Sequence, residues 1–373
     1  MNEVFGWGVY GGFGYLTRQL ARGLLEEGVD TCILTPRRMN QKSFEILDGT
    51  KIYGYNETPR IIPFVKYYYN GNILNEISHL LKEINADIYH SQEASEYTYM
   101  VAKTAPHASH VVTFQDPWSF NEIRMMEKLH NTSRLGGYSV MLYRRWFQQR
   151  LIEKALRRMD GVFCQARYII PKVAKMYGLR KLPEFLPNPV QVPNRNMIKS
   201  DEPKVVFLAR WDPVKRPELF FQLAREFPRV RFIALGKYHS SSVMDSRLRR
   251  QYSVISNLEM PGFVSEEQKS KILEESWILV NTSIHECLPI SFLEAAAHKC
   301  AILSCENPDD FAGMFGFNAG LGLHSYIKGL RYLLEDERCK ALGEKAYEYV
   351  SEIHKFDRVI DLHMSAYERL TAN

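Results

Sequence analysis

"WILVNTSIHECLPISFLEAAAHKCAILSC", residues 277–305, is the stretch on which the fold turns. Two short apolar runs, "WILVNTS" and "CAILSC", flank "ISFLEAAAHK", whose apolar residues recur at helical spacing. A strand, a loop, a helix and a second strand in about thirty residues make a β-α-β unit, the connection that parallel strands require. "IHECLP" then lies at the carboxyl end of the first strand, with Glu286 at its mouth and Glu294 about one turn into the helix. The free N–H groups and positive dipole of that helix start favour an anion or hydrogen-bonding oxygens. Taken singly, Glu286 reads as a surface loop residue and Glu294 as a solvated helix residue. Their pairing around a proline turn at a strand end raises the functional reading.

Outward from this unit the same alternation runs through most of the 373 residues, a length that calls for two domains. The strands "TCILTP", "DIYHSQ", "HVVTFQ" and "DGVFCQ" alternate with helices such as "YLTRQLARGLLEEG", where Leu16, Leu20, Leu24 and Leu25 share a face and Gly28 is the C-cap. Residues 186–203, "LPNPVQVPNRNMIKSDEP", are rich in Pro and Asn and read as a linker. After it come "KVVFLA", "VRFIALG", "NLEMPG", "WILVNTS" and "CAILSC", and from about Tyr326 only helices. The reading is an α/β chain of two Rossmann-like, doubly wound parallel sheets, residues 1–190 and 191–354, facing a central cleft. In such sheets ligands bind outside the carboxyl ends of the strands.

Composition excludes several classes. Hydrophobic residues at 45% and charged residues at 24% fit a globular chain, not a disordered one. A net charge of +5 suits an anionic ligand and is too small to call for nucleic acid. The six cysteines are scattered without a CxxC pair, as in a reducing cytosol. The N-terminal "MNEVFGWGVYGGFG" is no signal peptide, and no run approaches the roughly 20 apolar residues of a membrane span. The expected place is the cytoplasm, with the inner face of the membrane kept open.

Three further motifs bear on chemistry. In "LARWDPVKRPELF", Arg210 and Lys215 lie between the first strand and first helix of the second domain. Arg clamps phosphate oxygens bidentately and Lys acts as a movable point charge, so the pair suits a diphosphate, against the bland reading of a solvated basic loop. "YGGFGYLTRQL" offers Gly11, Gly12 and Gly14 for close backbone approach. It is not GxGxxG, no acidic residue closes "TCILTPRR", and GxxxxGK[ST] is absent, so a dinucleotide-binding reading fails. "HECLP" is not HExxH, because Pro289 stands at the second His, and there is no Asp-x-Asp to hold a diphosphate through a divalent cation. No metal and no cofactor are expected. The helix at residues 141–160 is basic and amphipathic, either a crossover with a charged outer face or a membrane-surface contact. "KYYYNGN", residues 66–72, offers aromatic rings for a sugar or base, or simply packs.

At these residues the chain resembles the retaining GT-B glycosyltransferases of the family 4 type, glycosyl transferases group 1. "GGFGYLTRQLARGLLEEGVDTCILTP" is similar to the family's opening loop, helix and strand, and "ARWDPVKRPELF" to its G-R-L-x-x-x-K-G segment. Glu286 and Glu294 match its E-x7-E signature, and "RVIDLHMSAYERL" its closing helix, which would return residues 355–373 to the first domain. The resemblance implies retaining, metal-independent transfer of a hexose or related sugar from a nucleotide-diphosphate donor to a hydroxyl acceptor. Arg210, Lys215 and Gly12 would hold the diphosphate, Glu286 the transferred sugar, and Glu294 with Val264 the ribose and base. Leu288, Pro289 and Ile290 would meet the sugar and phosphates, and Gly11, Phe13 and His90 would line the acceptor side. Gln115 stands where many relatives have His; it can donate to a sugar hydroxyl but does not titrate near neutral pH. Cys287 and Pro189 replace glycines of the family pattern.

The competing readings are a GT-B epimerase or phosphorylase, and a catalytically silent scaffold binding sugar or nucleic acid through the basic helix. The expected partners are a nucleotide sugar and a hydroxyl acceptor, without nucleic acid. Donor base, sugar, acceptor, and the choice between monomer and homodimer are not encoded in any motif.

Overall fold

The computed structural model describes residues 12–37, 41–56, 71–129, 147–238 and 241–372. Gly11, the "KYYYN" of residues 66–70 and the start of the basic helix therefore lie outside the described residues. Two compact units divide the chain, residues 1–189 with 357–373 and residues 190–356. Among the described residues no helix is long and apolar enough to cross a membrane.

In the first unit, α1 (Gly12–Glu26) buries Leu16, Leu20 and Leu24 on one face, and Gly28 just beyond it takes φ +85°, the left-handed stop of a helix end. β1 (Cys32–Arg37) pairs in parallel with β3 (Thr50–Asn56), and β2 (Phe44–Leu47) pairs antiparallel with β3. That hairpin is a correction to the purely parallel expectation. Asp48 and Gly49 connect it with φ +50° and +80°, a two-residue turn whose twist matches the strands. A second sheet holds β4 (Ile88–Gln92), β5 (Ser109–Phe114), β6 (Gly161–Cys164) and β7 (Glu184–Phe185), all parallel and in that order. α2 (Gly71–Ile84) leads into it, and its crossovers include α3 (Glu96–Thr104), α4 (Phe120–Leu129), α5 (Gln149–Leu156) and α6 (Ile169–Tyr177). β5 is buried from His110 to Phe114, as a parallel strand covered on both faces must be.

The second unit is a single parallel sheet of six strands. β8 (Lys204–Leu208), β9 (Arg231–Leu235), β10 (Leu258–Gly262), β11 (Ile278–Asn281), β12 (Ala301–Ser304) and β13 (Gly316–Asn318) stand in the order β10-β9-β8-β11-β12-β13. Strand order reverses between β8 and β11, and such a switch point opens a crevice at the carboxyl ends. The connections are α7 (Pro217–Glu226), α8 (Ser242–Tyr252), α9 (Glu266–Glu275), α10 (Ile290–Ala297) and the short α11 (Phe311–Phe315), followed by α12 (Leu323–Leu334) and α13 (Arg338–Ile353). An aromatic cluster of Phe207, Phe220, Phe221 and Phe232, each at most 1% exposed, fills the core on one face of the sheet. Lys199 of the linker donates to His298 O at 2.6 Å and to Ser276 O, satisfying carbonyls at the ends of α10 and α9 that no helical partner reaches.

The last helix, α14 (Phe356–Thr371), belongs to the first unit. Its Tyr367 hydroxyl lies 2.6 Å from His90 Nδ1 on β4, and His90 Nε2 lies 2.8 Å from Thr113 Oγ1 on β5. Burial holds His90 down to about 3, with His363 adding to it, and burial holds His363 to about 4. Unfolded imidazoles take protons at about 6.5, so this stabilisation is present above that pH and is lost as pH falls. Glu93 runs the other way: burial raises it to about 7, and its contribution is lost as pH rises through that value. Two imidazoles outweigh one carboxyl, so the first unit should lose about 1 kcal/mol per pH unit between pH 6.5 and 5. Amide exchange of β4 and β5, corrected for its intrinsic pH dependence, measures this; protection that stays level or improves on acidification is the contrary result. Tyr367→Phe should lower the same protection by about 1 kcal/mol at pH 7.5.

Candidate active site at the switch point of the second unit

The turn between β8 and α7 is built around Asp212. Its Oδ1 accepts from the N–H groups of Val214 and Lys215, both at 3.1 Å, and its carbonyl accepts from those of Lys215 and Arg216 at 3.0 and 3.1 Å. Arg216 is thereby held at φ +46°, the left-handed region. Such a conformation costs a non-glycine residue about 1 kcal/mol and persists only where its surroundings enforce it. They do. The Arg216 guanidinium donates to Thr282 O at 2.6 Å and Leu321 O at 2.8 Å, while Thr282 Oγ1 donates back to Lys215 O at 2.6 Å and Arg216 O at 2.9 Å. These bonds tie the turn after β8 to the loop after β11 across the switch point.

Lys215 is aimed by this lacing. Its Nζ donates to Glu286 Oε1 at 2.6 Å, and Asn281 Nδ2 at the end of β11 donates to the same oxygen at 3.0 Å. The Glu286 side chain is 8% exposed and that of Lys215 19% exposed, so the pair is desolvated but open on one side. Asn281 is fixed in turn, its Oδ1 accepting from Ser283 N at 2.8 Å and its carbonyl from the Tyr326 hydroxyl at 2.8 Å. The N–H of Glu286 donates to the Glu306 carboxyl, whose own acidity burial weakens.

Glu294, expected on a helix, faces Lys269 of α9, whose Nζ donates to its Oε1 at 2.6 Å. Burial pushes the Glu294 carboxyl up and Lys269 opposes it. Pro289 precedes α10 in an extended conformation and supplies no side-chain cap to the first N–H groups of that helix. Leu288 is buried, while Pro289 and Ile290 are half-buried. Val264, half-buried, follows β10. Arg210 is more solvated, its guanidinium 3.6 Å from Asp212 Oδ2 and outside the Lys215–Glu286 pair. Lys215, Glu286 and Asn281 are therefore one cluster, Glu294 and Lys269 a second, and Arg210 stands apart from both in its contacts. Asp212, Asn281 and Lys269 escaped the sequence reading, since polar residues in a turn, at a strand end and on a short helix carry no motif.

The turns after β8, β9 and β10 are laced as well. Trp211 N donates to Lys237 O at 2.9 Å and Gly236 N to Gly262 O at 2.8 Å. A row of backbone turns, two lysines and two carboxylates at the carboxyl ends of parallel strands can bind an anion beside a polyol.

Residues 10–192 match the family described as Glycosyltransferase Family 4, and residues 191–349 the family described as Glycosyl transferases group 1. Together the two spans run along most of the chain. The chain is a GT-B glycosyltransferase of the family 4 type. Among solved structures it is similar to sucrose-phosphate synthase from Thermosynechococcus elongatus, with a TM-score of 0.71 at 14% identity over 97% of this chain and 94% of that one. It is also similar to Anabaena Alr3699/HepE in complex with UDP and glucose, at 0.69 and 11% over 97% of both chains. A glycosyltransferase from Rickettsia africae ESF-5 gives 0.67 at 14%, over 98% of this chain and 97% of that one. No curated protein matches.

In the first unit of this glycosyltransferase the expected contacts are placed differently. Gln115 is 2% exposed. Its Nε2 donates to Gln92 Oε1 at 3.0 Å and Asn188 Oδ1 at 3.2 Å, and its Oε1 accepts from Asn188 Nδ2 at 2.9 Å. With both amide hydrogens engaged, it has none left for a sugar hydroxyl. His90 likewise has a protein partner at each ring nitrogen, which ties it to the strap of α14 and not to an acceptor. Gly12 opens α1 and Phe13 is 39% exposed on it. Glu93, unremarked in the sequence, takes φ +105° and accepts from the N–H groups of Ala94 at 3.1 Å, Gln115 at 3.0 Å and Asp116 at 2.8 Å. It lines a cavity of about 280 Å³ together with Asp116, Trp118 and Tyr177.

Gly236 gives the sharpest test of the laced turns. At φ +109°, a Cβ there would lie 2.0 Å from Ala209 O. Gly236→Ala should destabilise the second unit by on the order of 3 kcal/mol, from strain and overlap together. Urea unfolding measures it, and a loss under about 1 kcal/mol would mean the turns are not rigidly joined.

Proposed function

We propose that this glycosyltransferase transfers a hexose or related sugar from a nucleotide-diphosphate donor to a hydroxyl acceptor, with retention and without a metal. The observation that carries the reading is the Lys215–Glu286 pair at the switch point between β8 and β11. An incoming diphosphate competes with Glu286 for the Lys215 ammonium, which then faces the charge that grows as the glycosidic bond breaks. The N–H groups at the start of α10 add positive potential, and Arg210, exposed and rotatable, is free of the constraint that holds Lys215. These fixed groups supply the charge stabilisation that a divalent ion brings in other sites.

Glu286 is poised beside the transferred sugar, where it accepts hydrogen bonds from sugar hydroxyls and offsets positive charge at the reacting carbon. With Lys215 turned to the diphosphate, Asn281 still donates to Glu286 Oε1 at 3.0 Å and makes the carboxylate a weaker nucleophile. That favours attack by the acceptor hydroxyl on the face the diphosphate leaves, with its proton passing to the departing phosphate oxygen. The new glycosidic bond then replaces the broken one on the same face.

A panel of UDP-, GDP- and ADP-sugars, assayed for transfer and hydrolysis in the presence of EDTA, tests the reading. Turnover of at least one is expected; a protein that no nucleotide sugar or nucleoside diphosphate stabilises overturns it. Lys215→Ala should weaken nucleoside-diphosphate binding roughly tenfold to a hundredfold, the worth of a charge-assisted hydrogen bond, with the fold intact. Unchanged affinity in calorimetry is the contrary outcome. Glu286→Gln should lower kcat far more than nucleotide affinity, and equal losses would remove its assignment to the sugar.

A further inference from the structure

α9 carries a lysine on its inner face. Leu273 is fully buried on that helix, and Lys269 stands one turn before it on the same face, where an amphipathic helix ordinarily places an apolar residue. The Lys269 side chain is 15% exposed, and its Nζ lies 2.6 Å from Glu294 Oε1 and 2.8 Å from Glu266 Oε2. Glu266 is 66% exposed, whereas the Glu294 side chain is 13% exposed. The buried half of this arrangement is therefore the Lys269–Glu294 pair, with Glu266 as a solvated third member. Among the described residues His298, one turn further along α10, also stands near Glu294, with the Lys199 ammonium 2.6 Å from the His298 carbonyl oxygen. Its Nδ1 lies 2.7 Å from the Glu294 carbonyl and its Nε2 2.8 Å from Ser270 Oγ on α9. Burial lowers its basicity, and the cation hydrogen-bonded to the Glu294 carboxylate is Lys269.

A carboxylate that accepts both hydroxyls of a ribose must be ionised, because a protonated carboxyl turns one oxygen into a donor. A buried carboxyl with no cation tends to neutralise instead. We propose that Lys269 is a positioning residue of the nucleotide site, holding Glu294 ionised and oriented so that it reads the ribose diol. The inference rests on the donor-site reading of Glu294 and adds to it a residue that never touches the ligand. It also accounts for an anionic ligand being admitted beside two glutamates, since each arrives already neutralised by its own lysine.

Calorimetry from pH 5.5 to 8.5 with UDP, GDP and ADP, each against its 2′-deoxy counterpart, tests this. Wild type should prefer the ribonucleotide by roughly tenfold at every pH, the worth of a hydrogen bond to a charged group. Lys269→Met keeps the length of the side chain and removes its charge; it should lose most of that preference at pH 5.5 and regain it by pH 8.5. Lys269→Arg should restore wild-type behaviour, and Lys271→Met, on the exposed face of the same helix, should change nothing. A Lys269→Met protein with wild-type preference at pH 5.5 overturns the inference while leaving the donor site standing. Should that variant fail to fold, Glu294→Gln decides: a weak preference at all pH values is expected, and an undiminished one overturns the proposal. A wild type that binds none of the three nucleoside diphosphates removes the donor reading itself, and this inference with it.

Discussion

A carboxylate buried at the end of a parallel sheet needs a cation within hydrogen-bonding reach, and the functional half of this chain is arranged around that need. Glu286 and Glu294 lie on one loop–helix segment, yet their lysines come from different elements, Lys215 from the turn after β8 and Lys269 from α9. Buried ion pairs of this kind add little net stability, because desolvation offsets most of their attraction. Apolar residues would serve the core at least as well. What the pairs do provide is a site that is nearly neutral, rich in acceptors, and able to exchange a lysine for a phosphate oxygen.

The sheet order determines which groups can meet. With β8 beside β11, the crossovers leave on opposite faces, and the two loops at their carboxyl ends diverge around a crevice. Lys215 and Glu286 are 71 positions apart in the chain and 2.6 Å apart in space for this reason alone. Arg216 then converts neighbourhood into register. Its guanidinium reaches the carbonyls of Thr282 and Leu321, and its left-handed backbone redirects the chain into α7. The G-R-L-x-x-x-K-G pattern that the segment resembles has glycine at this place, the residue for which φ +46° carries no penalty. Here the penalty is offset by side-chain bonds a glycine cannot make.

The β-α-β unit at residues 277–305, and with it the position of Glu286 at a strand mouth, was legible because period and punctuation agree there: a buried run, a proline turn, a helix, a second buried run. The Asp48-Gly49 hairpin was missed despite its turn signal, because "FEIL" and "TKIYGYN" are short and mixed in polarity and the parallel pattern around them masked the antiparallel strand. β13 was not legible, since "GFN" is three residues long and its place depends on Gly316, where a Cβ would stand 1.7 Å from Ile302 O. Lys269 looked like any lysine of a charged helix, because sequence shows the spacing of a face and not what the face meets. The long-range partners of Gln115 and His90 were beyond reach for the same reason: a side chain's bonds are set by tertiary neighbours, which a local pattern does not contain.

Gln115 shows how such a tertiary setting can reassign a residue. Gln92, Gln115, Gln165 and Asn188 follow or end β4, β5, β6 and β7, one amide per strand, and they bond to one another across the sheet end. A planar amide donates twice and accepts at the same time, so four of them can close a network without any charge. An imidazole at position 115 would have two ring nitrogens to offer and would leave part of that row unsatisfied, which is expensive where water is excluded. The amide is thus selected by the platform it completes, and beside it stands a buried carboxyl, Glu93, which burial raises to about 7. Its φ of +105° is tolerable because three backbone N–H groups, from Ala94, Gln115 and Asp116, hold its carboxyl in place. Two of those donors belong to the strand end that the amide row fixes. The uncharged network and the strained acid are therefore one construction, since the N–H of Gln115 that holds the Glu93 carboxylate is fixed by the same amide row.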